Sequence, residues 1–204
     1  ADGQVVDTGT RGWAPAEGGA TAVAPDGAPV GVLDALSWLQ RDSGMPCRVP
    51  VGVIGARAAS AAQRTAAERL GERLAGRGLT VLCGGRQGVM EAVCRGVERA
   101  GGLSIGLLPE ADPQAANPHV TVPIATGLGV ARNAVIARAS LCLIAVGGGY
   151  GTTAEAAFGL QFGLPVLGLL DAPPLPGLRE CRDPEAAVAC VARIVLALPL
   201  DDGA

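Results

Sequence analysis

The sequence predicts an α/β protein: a mostly parallel sheet with helices on both faces. Three observations point there. Short, continuous apolar runs alternate with segments of helical periodicity, the pattern of strands buried on both faces and joined by crossover helices. Glycines cluster where those apolar runs end. The composition is 49% apolar with only 2% aromatic residues, so the core must be built from Ala, Val, Leu and Ile. A chain of 204 residues is long enough for one domain of this kind.

The elements follow in order. Residues 1 to about 30 are rich in Gly, Pro and Ala and read as an irregular arm, with a short hairpin around "GQVVDTGTRGW". "GVLDALSWLQRDSG" (31–44) puts Val32, Leu36 and Leu39 on one helical face and stops at Gly44. With Trp38 it offers a face for a neighbouring subunit. The arm and this helix (1–45) are set apart from a domain over 46–204. "VPVGVIG" (49–55) is the first buried strand, and a helix spans about 60–75. "LTVLC" (79–83) runs into "GGRQG" and a helix from Val89. "LSIGLLP" (103–109) is a third strand and "HVTVP" (119–123) a short fourth. A helix covers 130–139, and "LCLIAV" (141–146) leads into "GGGYGTTAE" and a helix to about Phe162. "PVLGLL" (165–170) is the last strand, and Asp183 caps a final helix with Pro184 at its first position. The whole is Rossmann-like. Ligands in such sheets sit beyond the carboxyl ends of the strands.

Composition excludes several functions. Net charge is −3, with no basic stripe to drive nucleic-acid binding. No apolar run is long enough to span a membrane and no signal-peptide pattern is visible, so a cytoplasmic protein is expected. The six cysteines form no CxxC pair and read as buried, reduced thiols. All 16 basic residues are arginines. Without lysine there is neither a pyridoxal-phosphate Schiff base nor a Walker phosphate loop. The single histidine, His119, sits in "NPHVTVP" and reads as a strand-end residue; Asn117 and Pro118 shape a turn. No metal site and no bound cofactor are expected.

Two glycine loops carry the functional signal. "CGGRQGVMEA" supplies Gly84, Gly85, Arg86, Gln87 and Gly88; "GGGYGTTAEA" supplies Gly148, Gly149, Tyr150, Gly151, Thr152 and Thr153. Each ends a strand and opens a helix. Glycine lets backbone N–H groups approach an anion, and the helix start adds unpaired donors. Neither loop spells GxGxxG, so each could also be a tight turn. Their matching positions favour an anion site. In "TGLGVARN", Thr126 and Gly127 lead to Arg132 and Asn133 at a helix start, where a bound anion would offset the unfavourable placement of arginine. Glu155 falls in the first turn after the second loop. It could be a cap, or a carboxylate that stabilises an oxocarbenium-like transition state. Arg57, after the first strand, also points to the carboxyl edge. Met90 and Glu91 open the next helix, where Met90 could equally be core.

"GGRQGVMEAVCRGVERAGGLSIGLLP", "TGLGVARN" and "GGGYGTTAE" together resemble the LOG (LONELY GUY) superfamily over about residues 49–170. Its studied members release the base and ribose 5-phosphate from nucleoside 5′-monophosphates. Their signature is a PGGxGTxxE loop with an upstream arginine. The resemblance implies a phosphate held by Gly148, Gly149, Gly151 and Thr152, with glycosidic cleavage by Arg132 and Glu155. It also implies a homodimer or higher homo-oligomer. The old "lysine decarboxylase" label of the superfamily cannot apply to a chain without lysine. Two positions depart from the signature: Gly147 replaces the loop proline, and Asn133 the lysine after the arginine. They are similar instead to a branch resembling molybdenum-cofactor carrier proteins, which bind a phosphorylated pterin and catalyse nothing. The expected function is hydrolysis of a nucleoside 5′-monophosphate. The alternative is a non-catalytic carrier of a phosphorylated ligand such as that pterin. A third reading is a homo-oligomeric protein whose nucleotide site is regulatory or vestigial.

Overall fold

The computed structural model describes the backbone of residues 2–7, 12–20, 22–23 and 29–200, and side chains over 30–200. The arm forms a small sheet. β1 (Asp2–Asp7) pairs antiparallel with β2 (Gly12–Ala20), as a hairpin over this stretch requires. β3 (Ala22–Val23) and β4 (Pro29–Val30) complete it in the order β2-β1-β3-β4.

The main sheet has seven strands, and every pair in it is parallel. They are β5 (Val51–Gly55), β6 (Val81–Cys83), β7 (Ser104–Leu108), β8 (Val122–Ala125), β9 (Leu143–Val146), β10 (Val166–Leu169) and β11 (Leu178–Glu180). The order is β11-β10-β9-β5-β6-β7-β8. The chain winds outward from β5 to β8, then returns beside β5 as β9 and winds the other way. The reversal puts the switch point between β5 and β9.

Burial follows from this order. β9 and β10 lie inside the sheet and are buried throughout. β8 is an edge. It carries Pro123, which a central strand could not hold, and exposes Val122 and Ile124. It also lies three residues later than "HVTVP" suggests, because Asn117 and His119 are spent in the turn that precedes it.

Helices cover both faces. α1 (Val32–Arg41), α2 (Ala61–Ala75), α3 (Val89–Arg99) and α6 (Pro184–Val195) cover one face, where Val51, Val53, Val81, Ile144 and Leu167 turn inward. α4 (Arg132–Ala139) and α5 (Tyr150–Gln161) cover the other, over Ile54, Leu82, Leu143, Ala145 and Val166. The residues alternate between faces with period two, as strands demand. α1 lays Ala35 and Leu36 against the chain's own core beside α6, with Trp38 half-buried. α2 and α3 approach closely enough that a Cβ on Gly96 would stand 1.9 Å from the Glu68 carbonyl oxygen, so that crossing requires glycine. All six cysteines are free thiols, five of them buried. Among the described residues no helix is long and apolar enough to cross a membrane.

Candidate functional site

A cleft of about 510 Å³ opens at the switch point, beyond the carboxyl ends of β5, β6 and β9. Its floor comes from four strand ends: Gly55 at the end of β5 with Ala56, Arg57 and Ala58, Gly84 and Arg86 after β6, Pro109 after β7, and Gly148, Gly149, Gly151 and Thr152 after β9. Adjacent strands lie about 4.8 Å apart, so the span from β9 to β7, three spacings, is about 14 Å. That length suits a small molecule with a phosphate at one end and a ring at the other.

Arg132 and Glu155 meet on the cleft wall. Arg132 opens α4, and Glu155 lies in the second turn of α5, against which α4 packs. Arg132 Nη1 donates to Glu155 Oε1 at 2.8 Å and to Asn133 Oδ1 at 2.7 Å. The two residues are only 8% and 6% exposed. Burial pushes the Glu155 carboxyl up to about 7, although the guanidinium beside it pulls the other way. Arg132 Nε is buried with no hydrogen-bond partner within the protein. A buried guanidinium with an idle N–H has the chemistry to take an oxyanion.

The start of α5 adds more donors. Its N-cap is Gly149, no side chain caps it, and its first turn holds no acidic residue. Thr153 N–H already bonds the Gly149 carbonyl at 2.9 Å. The N–H groups of Tyr150, Gly151 and Thr152 have no acceptor inside the helix. A Cβ at Gly149 or Gly151 would meet nothing within 4 Å. Neither glycine has a positive φ, so neither is required by the chain's own packing or backbone. The space they leave belongs to the cleft.

The first glycine loop is different. A Cβ on Gly84 would stand 2.5 Å from Arg132 Nη2 and 2.7 Å from Met90 Sδ. This glycine makes room for the arginine. Gly85 lies against Gly106 and Leu108, and Gly88 against the carbonyls of Ala56 and Arg57. Arg86 lines the cleft and forms an ion pair with Glu110. Asn117, buried, pins the loop by donating its Nδ2 to the Arg86 carbonyl at 3.0 Å.

Of the residues expected from sequence, the cleft gathers Gly84, Arg86, Arg132, Asn133, Gly148, Gly149, Gly151, Thr152 and Glu155, together with Arg57 and Met90. Gly85, Gln87, Gly88, Thr126, Gly127, Tyr150 and Thr153 do not line it. Thr126 instead donates to the Leu108 carbonyl, and the Thr153 hydroxyl to that of Gly149. His119 bonds Glu98 at 2.7 Å, away from the cleft. Gln63 is a residue the sequence reading missed. It completes a capping box with Ser60, donates to the Leu170 carbonyl at 3.2 Å, and fills the space beside Gly147. The Ser60-x-x-Gln63 spacing was a readable signal for the cap; its brace on a loop 84 positions later in the chain was not. Gly147 has φ +59, which proline cannot adopt. Its N–H donates to the Leu169 carbonyl at 2.8 Å, a bond proline could not make.

Comparison with known proteins adds three findings. Residues 48–191 match the SLOG cluster4 family. An uncharacterised protein of Archaeoglobus fulgidus is 40% identical over 138 residues, 68% of this chain and 91% of that one. Among solved structures, the molybdenum cofactor binding protein of the phototrophic bacterium Rippkaea orientalis is 32% identical with a TM-score of 0.68, covering 72% of this chain and 98% of its own. The Moco carrier protein of Chlamydomonas reinhardtii is 34% identical with a TM-score of 0.66, covering 74% and 100%.

Proposed function

Because the chain belongs to the SLOG cluster4 family, we propose that it is a binding protein that holds a phosphorylated small molecule in the switch-point cleft and releases it unchanged. The cargo is a phosphorylated pterin of the molybdenum-cofactor type. The observation that carries this reading is the open start of α5: idle N–H donors and two glycines with vacant space above them, beside the unpartnered Nε of Arg132. Phosphate oxygens fit both sets of donors. The solved relatives described as molybdenum cofactor binding and carrier proteins support the pterin.

The departures from the hydrolase signature support binding without turnover. Gly147 turns the loop through a conformation closed to proline, so the path into the cleft differs from that of a proline-led loop. Asn133 lines the cleft as a neutral acceptor to Arg132, where a lysine would add charge. Hydrolysis of a nucleoside 5′-monophosphate is kept as a second reading because the Arg132–Glu155 pair itself stands on the cleft wall.

The test is a panel of nucleoside 5′-monophosphates and a pterin monophosphate, with binding measured by calorimetry and free base by chromatography on the same samples. Binding without base release is expected. Base release that vanishes in Glu155→Gln would replace the carrier reading with the hydrolase.

A further inference from the structure

Tyr150 is the only tyrosine of the chain, and it is 99% exposed. It stands at the first position of α5, between Gly149 and Gly151, both of which line the cleft. Val130, 86% exposed, lines the same cleft, and Leu128, about half exposed, is two residues away. Single apolar residues scattered on a surface are ordinary, but Val130 lines the cleft itself and Tyr150 is flanked by two residues that do. The glycines on either side of Tyr150 give its ring no side-chain neighbour. Among the described residues nothing covers its side chain.

We propose that Tyr150 folds over the cleft mouth and stacks its ring on the planar heterocycle of the bound ligand, with Val130 as apolar rim. This rests on the reading of the α5 start as the phosphate site. Once a phosphate sits on the N–H groups of residues 150–152, whatever it carries leaves the cradle past the residue that bears the ring. Tyrosine suits that position: a flat apolar face, few torsions to freeze, and a hydroxyl that stays in water. Stacking of an aromatic side chain on a heterocycle contributes on the order of tenfold or more in affinity. Phosphate fixes the ligand's end, and the tyrosine face requires that a planar ring follow it.

The single tyrosine makes the test direct. The full chain is produced with 3-fluorotyrosine, which gives one fluorine resonance, and titrated with inorganic phosphate, ribose 5-phosphate, GMP and a pterin monophosphate. The resonance should move with GMP or the pterin and stay still with the two ring-free probes. Tyr150→Ala should weaken the ring-bearing probe about tenfold and leave phosphate unchanged, and Tyr150→Trp should restore it. Equal loss for all probes, or no selective loss for either ring, overturns the stacking role and leaves the phosphate site standing. A resonance that moves with protein concentration alone overturns it in favour of a second copy of the chain over Tyr150. If inorganic phosphate and the ring-bearing probes all fail to bind, the phosphate site and the stacking role fall together.

Discussion

Helices α2 and α6 begin with their own caps; α4 and α5 begin with none. In α2 the Ser60 hydroxyl accepts from Gln63 N–H while the Gln63 side chain accepts from Ser60 N–H. In α6 the Asp183 carboxylate accepts from Ala186 N–H at 2.7 Å. The N-caps of α4 and α5 are Ala131 and Gly149, with no side-chain bond and no acidic residue in the first turn. α1 and α3 stand between, uncapped but with an acidic residue in the first turn. Because the main sheet is parallel, its crossover helices start at the same edge, so position alone does not explain the difference. A cap contributes about 1 kcal/mol. α4 continues a 3-10 turn over Gly129–Ala131, whose Gly129 and Val130 carbonyls accept the Arg132 N–H, so the start left open at the cleft is that of α5. On the proposed function, the idle donors of α5 are the ones that take the phosphate.

The largest way to break this comparison is to remove the cation that stands with the open start of α5 on the cleft wall. Arg132→Ala leaves Glu155 buried without a partner, a loss of about 3–5 kcal/mol at pH 8. The loss should shrink at pH 5, where Glu155 holds a proton and no unpaired charge remains. Phosphate binding should disappear at both pH values. Denaturant unfolding at the two pH values and calorimetry with inorganic phosphate check these outcomes. Retained phosphate affinity would exclude Arg132 from the anion site.

The next effect belongs to Glu155 itself. Burial pushes its carboxyl up to about 7 in the folded state, against 4.5 for an ordinary glutamate. The folded state therefore binds this proton more tightly than the unfolded chain does. The stabilisation is fully present below pH 4.5 and is lost as pH rises through 7. At about 1.4 kcal/mol per pH unit the gap amounts to about 3 kcal/mol at most. Unfolding free energies of wild type and Glu155→Gln, measured from pH 4.5 to 8, should differ in slope over that window, with the variant flatter. Parallel curves would mean that Glu155 is ionised throughout.

The fold was legible because buried parallel strands and periodic helices each leave a local pattern. A mostly parallel sheet, the helix layers on both faces and six of the seven strands follow from that pattern; that every pair in the main sheet is parallel came from the structure. β11 was not legible: Leu178–Glu180, two half-buried residues and an exposed one, have no apolar run of their own and are held by pairing with β10. The family resemblance read from three loop motifs is borne out by the match over 48–191 and by the solved relatives. The two glycine loops look alike as strings but differ in the structure. Gly84, Gly85 and Gly88 make room for Arg132, Gly106 and the Ala56 carbonyl, whereas Gly149 and Gly151 face open space. A glycine's reason is a neighbour distant in sequence, and a single chain does not print it. Likewise Glu155 was legible as a carboxylate near a loop, but its burial depends on how α4 packs against α5.

The smallest effect on stability is the sharpest test of the comparison. Gly149→Asp places a capping carboxylate at the start of α5, in backbone that any residue adopts (φ −155) and with no atom within 4 Å to obstruct it. Asp outperforms Gly at this position by only a few tenths of a kcal/mol, so the melting temperature should rise slightly. The new carboxylate would occupy the idle N–H groups and repel a phosphate, so binding of inorganic phosphate should fall more than tenfold. Ser60→Ala on α2 is the mirror experiment: about 1 kcal/mol of stability lost with phosphate affinity unchanged. If Gly149→Asp leaves phosphate binding intact, the open start of α5 is not a ligand's place. If Ser60→Ala removes binding as well, capped and open starts do not divide structure from function in this sheet.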